Sequence, residues 1–265
     1  MISVIVPALN EASHIETCLK SLKVQSVGSE LYEIIVVDGG SEDETCSIAE
    51  KYAKKVICQD DPGIGGARRD GAQEASGQIL AFTDADTILP DNWLETINRN
   101  LNRYDASTGP VIFQDNNVKT DILATWRGLY KLLNKIDFYY MIGANMAVRS
   151  ETYHRVGGHS DISLLDDYDL SVKLFKNKAT TLYDPGQVVY TSSRRAGKLL
   201  TYGMTVAYGH YNYLVTKDYD KLLNYPKVEE MTLKDILKDN RLGRDVLSAM
   251  ETLQTTLREN KRKIS

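Results

Sequence analysis

Gln78-Ile79-Leu80-Ala81-Phe82-Thr83 running straight into Asp84-Ala85-Asp86 is the stretch on which the fold turns. A short apolar run that stops at carboxylates reads as a buried strand opening into a polar loop. The same pattern occurs upstream: residues 2–6 lead into Pro7-Ala8-Leu9-Asn10-Glu11, residues 33–37 into Asp38-Gly39-Gly40, and Val56-Ile57-Cys58 into Asp60-Asp61-Pro62-Gly63. Helix-period stretches lie between them. Ile15, Cys18, Leu19 and Leu22 recur at spacings of three and four, and Ser41 with Glu44 has the spacing of a capping box. Further helices are expected near 66–75 and, with Pro90 at its first turn, near 91–104. Strand–helix alternation of this kind predicts an α/β layered domain with parallel strands. In such a sheet the loops leaving the carboxyl ends of the strands share one edge, where ligands bind. The polar loops at 7–11, 38–41, 60–66 and 84–86 are therefore expected to face one crevice.

Downstream the rhythm changes. A strand is expected at 108–113, a long helix at 121–140, a strand at 145–149, a helix from Asp166 through Lys176, and strands near Thr181 and 188–191. The segment from about Lys217 is more charged. It carries Val246, Met250, Leu253 and Leu257 as an apolar stripe that suits packing on the body or self-association in a homodimer.

Composition narrows the function classes. The chain has 265 residues, 42% of them apolar and 26% charged, which is globular usage rather than collagen-like, disordered or disulfide-rich. A net charge of −4 argues against a broad nucleic-acid-binding face. Cys18, Cys46 and Cys58 are odd in number and form no C-x-x-C, so buried reduced thiols in a cytoplasmic protein are expected. The first residues are an apolar strand with no basic region before it, which does not read as a secretory signal. The uncharged run at 199–216 contains glycines, His210 and Asn212 and is too polar and short for a membrane span.

The chemistry sits in the loops. Asp84 and Asp86 are spaced so that an extended backbone points both to one side, and two hard oxygen ligands there suit Mg²⁺ or Mn²⁺ completed by phosphate oxygens. A solvated turn is the plainer alternative. Asp38 ends its strand where a carboxylate can accept from a base N–H or a ribose hydroxyl, or sit at a helix N-terminus. Gly65-Gly66-Ala67-Arg68-Arg69 places small residues beside two guanidiniums, which could bring backbone to a diphosphate while Arg68 balances its charge. Asp166-Asp167-Tyr168-Asp169 crowds three acids, which can lift one pKa and make a base; helix capping is the alternative. Arg194-Arg195 reads equally as a phosphate clamp or a surface pair. The four histidines show no metal-binding spacing, no G-x-S-x-G is present, and no G-x-G-x-x-G follows the first strand.

Taken together the motifs resemble family 2 glycosyltransferases over roughly residues 1–200. The matching pieces are 4–11, 36–43, Ala67-Arg68 through Gly71 with 79–86, 143–149 and 166–170. The resemblance implies a GT-A fold: a Rossmann-like, mostly parallel sheet flanked by helices, here with a C-terminal helical extension. It implies a nucleotide-sugar-binding half at 1–105, an acceptor-binding half at 106–216 and the extension at 217–265. It also implies a metal-dependent inverting transferase that moves a sugar from a UDP- or GDP-sugar to an acceptor hydroxyl. On that pattern Pro7, Ala8, Asn10, Glu11, Asp38, Arg68, Asp84 and Ala85 hold the nucleotide. Asp86 ligates Mn²⁺ or Mg²⁺, and Asp167 is the catalytic base. Asn145, Asp166, Arg194 and Arg195 serve the acceptor or the diphosphate.

Three departures stand out: Gly39 replaces an acidic or amide residue, Asp166 stands where Glu is common, and Ala196 follows the Arg pair where an aromatic is usual. The last argues against processive polysaccharide synthesis. The expected partners are the nucleoside diphosphate sugar and a glycan, lipid-linked or small-molecule acceptor. Leu200, Met204, Ala207, Tyr211 and Leu214 form a stripe beside Arg194, Arg195 and Lys198. That stripe suits packing on the body, or peripheral contact with the inner membrane surface. Two rival readings remain: a haloacid-dehalogenase-like phosphohydrolase built on Phe82-Thr83-Asp84-Ala85-Asp86-Thr87, and a non-catalytic sugar-nucleotide-binding module.

Overall fold

The computed structural model describes residues 1–114, 141–161 and 166–192, all within the first of the two units into which the chain divides, Met1–Leu199. The expected helix at 121–140, Arg194 and Arg195, the stripes at 200–214 and 246–257 and the C-terminal extension lie outside the described residues.

The sheet grows outward from β1 (Ile2–Ala8), whose side chains alternate between two cores. Ile2, Val4, Val6 and Ala8 pack on one face against α1 (Ile15–Lys23), while Ile5 packs on the other against Ala67 and Ala72. β2 (Tyr32–Asp38) is buried along its whole length, as a strand covered on both faces must be. It pairs in parallel with β1, Ala8 opposite Asp38, so the two loops that follow start side by side. α2 (Thr45–Ala49), β3 (Lys55–Cys58), α3 (Gly63–Gln73) and β4 (Ile79–Phe82) complete the repeating part. α3 lies close on the sheet because Gly71 has no side chain: a Cβ there would stand 2.5 Å from Ile5 Cγ2 and 2.9 Å from Val37 Cγ2.

Beyond β4 come β5 (Thr87–Ile88), α4 (Trp93–Leu101), β6 (Ala106–Thr108), β7 (Val111–Phe113), β8 (Met146–Arg149), α5 (Ser150–Arg155), α6 (Asp166–Lys176), β9 (Thr181–Tyr183) and β10 (Val189–Thr191). The seven-stranded sheet has the order β3-β2-β1-β4-β8-β6-β9, and a three-stranded sheet has the order β5-β10-β7. β8 runs antiparallel to both β4 and β6, so the sheet is mostly, not wholly, parallel.

Several expectations need correcting. The strand expected at 108–113 is two, in different sheets, because the chain turns at Gly109-Pro110, where proline has no N–H for a ladder. Ser41 and Glu44 form no capping box. The Ser41 hydroxyl accepts the Asn10 N–H and the Ser41 N–H goes to Asp38, while α2 starts later, with its Thr45 N–H donated to Asp43. Of the three thiols only Cys18 is buried; Cys58 is exposed, on the edge strand β3.

A buried carboxylate ties the layers at the far end of the sheet. Glu33 Oε1 accepts from the Ser3 and Ser76 hydroxyls and the Ser76 N–H at 2.6–2.8 Å, and Oε2 accepts from Lys54 Nζ at 2.9 Å. Burial alone would raise this carboxyl, but these donors outweigh it and hold it at about 2 against an ordinary 4.5. The stabilisation is therefore complete above pH 4.5 and lost as pH falls toward about 2. We expect Glu33→Gln to cost about 2 kcal/mol at pH 7, a fall of about 4–8 °C in Tm, and to flatten the acid limb of the stability–pH curve. Thermal melts of both proteins from pH 3 to 7 check this.

Candidate active site

At the carboxyl ends of β1 and β2 the first two loops are stapled together. Asn10, at a left-handed φ of 53°, gives its N–H to Ser41 and accepts the Glu42 N–H on its side-chain oxygen. The Glu11 N–H goes to Thr45 Oγ1 at 2.8 Å and the Ala12 N–H to Asp43 at 3.1 Å. Glu11 is buried, with Oε2 3.4 Å from His14 Nδ1. Asp38 stands beside this staple at the end of β2. Its Oδ2 accepts the Gly40 and Ser41 N–H groups, while Oδ1 is buried with no hydrogen-bond partner among the described residues. Burial pushes its carboxyl up, yet Ser41, Cys46 and the Gly40 N–H outweigh that and keep it below the usual range. An ionised, buried carboxylate whose oxygens are not all matched by donors among the described residues is a costly arrangement that a ligand N–H or hydroxyl would relieve.

The second cluster centres on Arg68, only 2% exposed. Its Nη2 donates to Asp84 Oδ1 at 2.7 Å and its Nη1 to Asp166 Oδ2 at 2.5 Å. Burial works against its charge, but the carboxylates of Asp166, Asp84 and Asp167 outweigh that and raise its pKa. Arg68 thus faces protein carboxylates, not an open loop. Gly65, Gly66 and Ala67, expected to offer loop backbone, are instead buried within α3. Asp166 is likewise 3% exposed and accepts from Arg68 Nη1.

Asp167, one position on, is half-buried. Its Oδ2 accepts the Gly143 N–H at 2.9 Å and its Oδ1 the Tyr168 N–H at 2.8 Å, two backbone donors that fix the carboxylate's direction. Behind it lies His159, fully buried. The Tyr153 hydroxyl accepts the His159 backbone N–H and lies 2.9 Å from Nδ1. If that hydroxyl donates to Nδ1, the ring proton sits on Nε2, 3.6 Å from Asp166 Oδ2; this tautomer is favoured because the other would set two lone pairs face to face. Burial, then Arg68 and Lys173, push the His159 pKa down, so the ring is neutral.

Asp86 follows the buried Ala85 and is half-buried just before β5. The Thr191 hydroxyl on β10 donates to its Oδ1 at 3.4 Å, a partner that the sequence reading missed. Among the described residues no group of three or more His, Cys, Asp or Glu is arranged to hold a metal ion. The donor set here therefore fits a hard cation that takes one or two carboxylates and fills its shell from phosphate oxygens and water, as Mg²⁺ does. It does not fit an all-protein cage.

Asn145 is placed elsewhere than expected. Its side chain is 0% exposed and fully used: Trp93 Nε1 and Gln187 Nε2 donate to its oxygen, and its amide donates to the Pro110 and Gln187 carbonyls. It joins the two sheets and has no bond left for an acceptor. Pro7 is part of β1, and Ala8 ends it beside Gly39, whose N–H it accepts. β1 carries no Asp or Glu, so the phosphohydrolase alternative lacks a nucleophile on its opening strand.

The sequence pattern described as Glycosyl transferase family 2 matches residues 3–157. Glycosyltransferase AglE of Haloferax volcanii is 38% identical over 100 residues, covering 36% of this chain and 33% of that protein. The dolichyl-phosphate beta-glucosyltransferase of Drosophila melanogaster is 35% identical over 166 residues, covering 56% of this chain and 50% of that one. The chain thus matches half or less of the length of these two relatives. Among solved structures, the mannosyltransferase PcManGT from Pyrobaculum calidifontis, in complex with GDP-Man and Mn²⁺, superposes with a TM-score of 0.65 at 21% identity, covering 82% of this chain and 64% of that chain. The family match runs from β1 past α5, more than half of the sequence, and the structural likeness carries the same sheet: the chain belongs to glycosyl transferase family 2 and has the GT-A fold.

Proposed function

We propose that this chain transfers a sugar, with inversion, from a UDP- or GDP-sugar to an acceptor hydroxyl. The observation that carries the reading is the ionised Asp38 carboxylate, whose Oδ1 has no hydrogen-bond partner among the described residues, on the same sheet edge as the loop bearing Asp84 and Asp86. The first is a seat for the donor groups of a nucleoside, the second a seat for a cation and the diphosphate next to it. PcManGT, of the same fold, was solved with GDP-Man and Mn²⁺, which is consistent with that use of the edge.

Each residue then has a task. Asp38 accepts from the base or ribose. Asp86 would hold the cation, with Thr191 steadying one of its oxygens. A divalent cation, when bound, offsets the charge that develops on the leaving diphosphate. Asp167 takes the acceptor proton as its oxygen attacks the anomeric carbon from the face opposite the leaving group. A glycan, lipid-linked or small-molecule hydroxyl would meet this requirement.

Two outcomes test the assignment. Asp167→Asn should bind UDP or GDP as the wild type does while turnover falls by about 10²–10⁴; single-turnover assays against a panel of sugar nucleotides, with calorimetry in parallel, decide it. Asp86→Ala should weaken Mn²⁺-dependent binding of the nucleoside diphosphate by about tenfold or more, and EDTA should abolish turnover. Equal affinity with and without Mn²⁺ would contradict the metal assignment, and a wild type that binds but never turns over would make it a binding module.

A further inference from the structure

We propose that Arg68 is a positioning residue: its guanidinium joins the strand that presents the cation-side acids to the helix that presents Asp167, and so sets the distance between the two halves of the reaction. This rests on the glycosyltransferase reading above. The contacts run in one chain. Asp84 lies in the loop just after β4 and receives Nη2; Asp166 opens α6 and receives Nη1. Gly143 lies over the guanidinium so closely that a Cβ there would stand 2.6 Å from Nη2 and 2.8 Å from Cζ, and the Gly143 N–H is the donor that fixes Asp167 Oδ2. The guanidinium therefore touches the elements on which Asp84, Asp166 and Asp167 sit, and it supports the peptide that aims Asp167.

Burial and carboxylate pairing favour this role over that of a diphosphate ligand. Arg68 is 2% exposed and both of its terminal nitrogens are given to carboxylates. The neighbouring Arg69 repeats the linkage on the outside, binding Asp61 in the loop before α3 and Asp161 in the approach to α6. A planar fork suits such bridging because its donors diverge at fixed angles, whereas an ammonium group acts as a single point.

The test uses the full chain. Arg68→Met alone leaves buried Asp166 and half-buried Asp84 without the cation between them and can fail to fold, so it is combined with Asp166→Asn. For Arg68→Met/Asp166→Asn we expect affinity for UDP or GDP with Mn²⁺ within about threefold of wild type, and turnover lower by about 10²-fold. We also expect faster hydrogen exchange at the Gly143 amide. Turnover that recovers together with thermal stability would show a purely structural role and overturn the proposal. Loss of nucleotide affinity by about tenfold would restore the diphosphate-ligand role and also overturn it. If the wild type binds neither nucleotide, the glycosyltransferase reading fails first, and the Gly143 exchange rate alone then decides: acceleration supports the positioning role, and an unchanged rate refutes it.

Discussion

Two carboxylates brought side by side, one buried and one half-buried, repel unless a cation stands between them, and in this protein that cation is Arg68. Asp84 and Asp166 meet on it from opposite sides, with Asp167 close enough to add to its field. A pair of this kind is a weak source of stability, because desolvation of the ions consumes most of their attraction. Its value is geometric. The acids come from the loop just after β4 and from α6, segments far apart in the chain, and the fork holds them in one arrangement. Gly71 makes this possible by letting α3 settle onto the sheet, which brings Arg68 inside.

The other end of the site is built by lighter means. Asn10, Ser41, Asp43 and Thr45 exchange side-chain and backbone bonds between the first two loops, so the cleft wall beside Asp38 is held without a core of its own. The result is a site with a rigid, charged centre and a hydrogen-bonded rim. A GT-A transferase of family 2 needs both: one to set the line of attack at the sugar, the other to receive a nucleotide.

Much of this was legible in the residues. β1, β2 and β4 announce themselves because strands buried on both faces need unbroken apolar runs, and α6 spans Asp166–Lys176 as its pattern predicts. The convergence of loops followed from parallel pairing alone. What local pattern cannot carry is partner choice. The antiparallel insertion of β8 and the switch of sheet at Gly109-Pro110 depend on which edge is vacant, a property of the assembled layers. Burial, which bears on site roles, is equally invisible to local pattern. Arg68 reads as a phosphate ligand until its enclosure is known. Asn145 reads as an acceptor contact until Trp93 and Gln187 are found to occupy its amide. Thr191 gave no signal at all, since an isolated threonine at a strand end is common.

The central claim is that one sheet edge receives a nucleoside at Asp38 and a cation at Asp86. The most direct measurement is an anomalous-scattering experiment on crystals grown with Mn²⁺ and UDP or GDP. The account predicts one manganese peak against Asp86 and a nucleoside hydrogen-bonded to Asp38 Oδ1. A nucleotide seated elsewhere, or manganese bound away from Asp86, would contradict it.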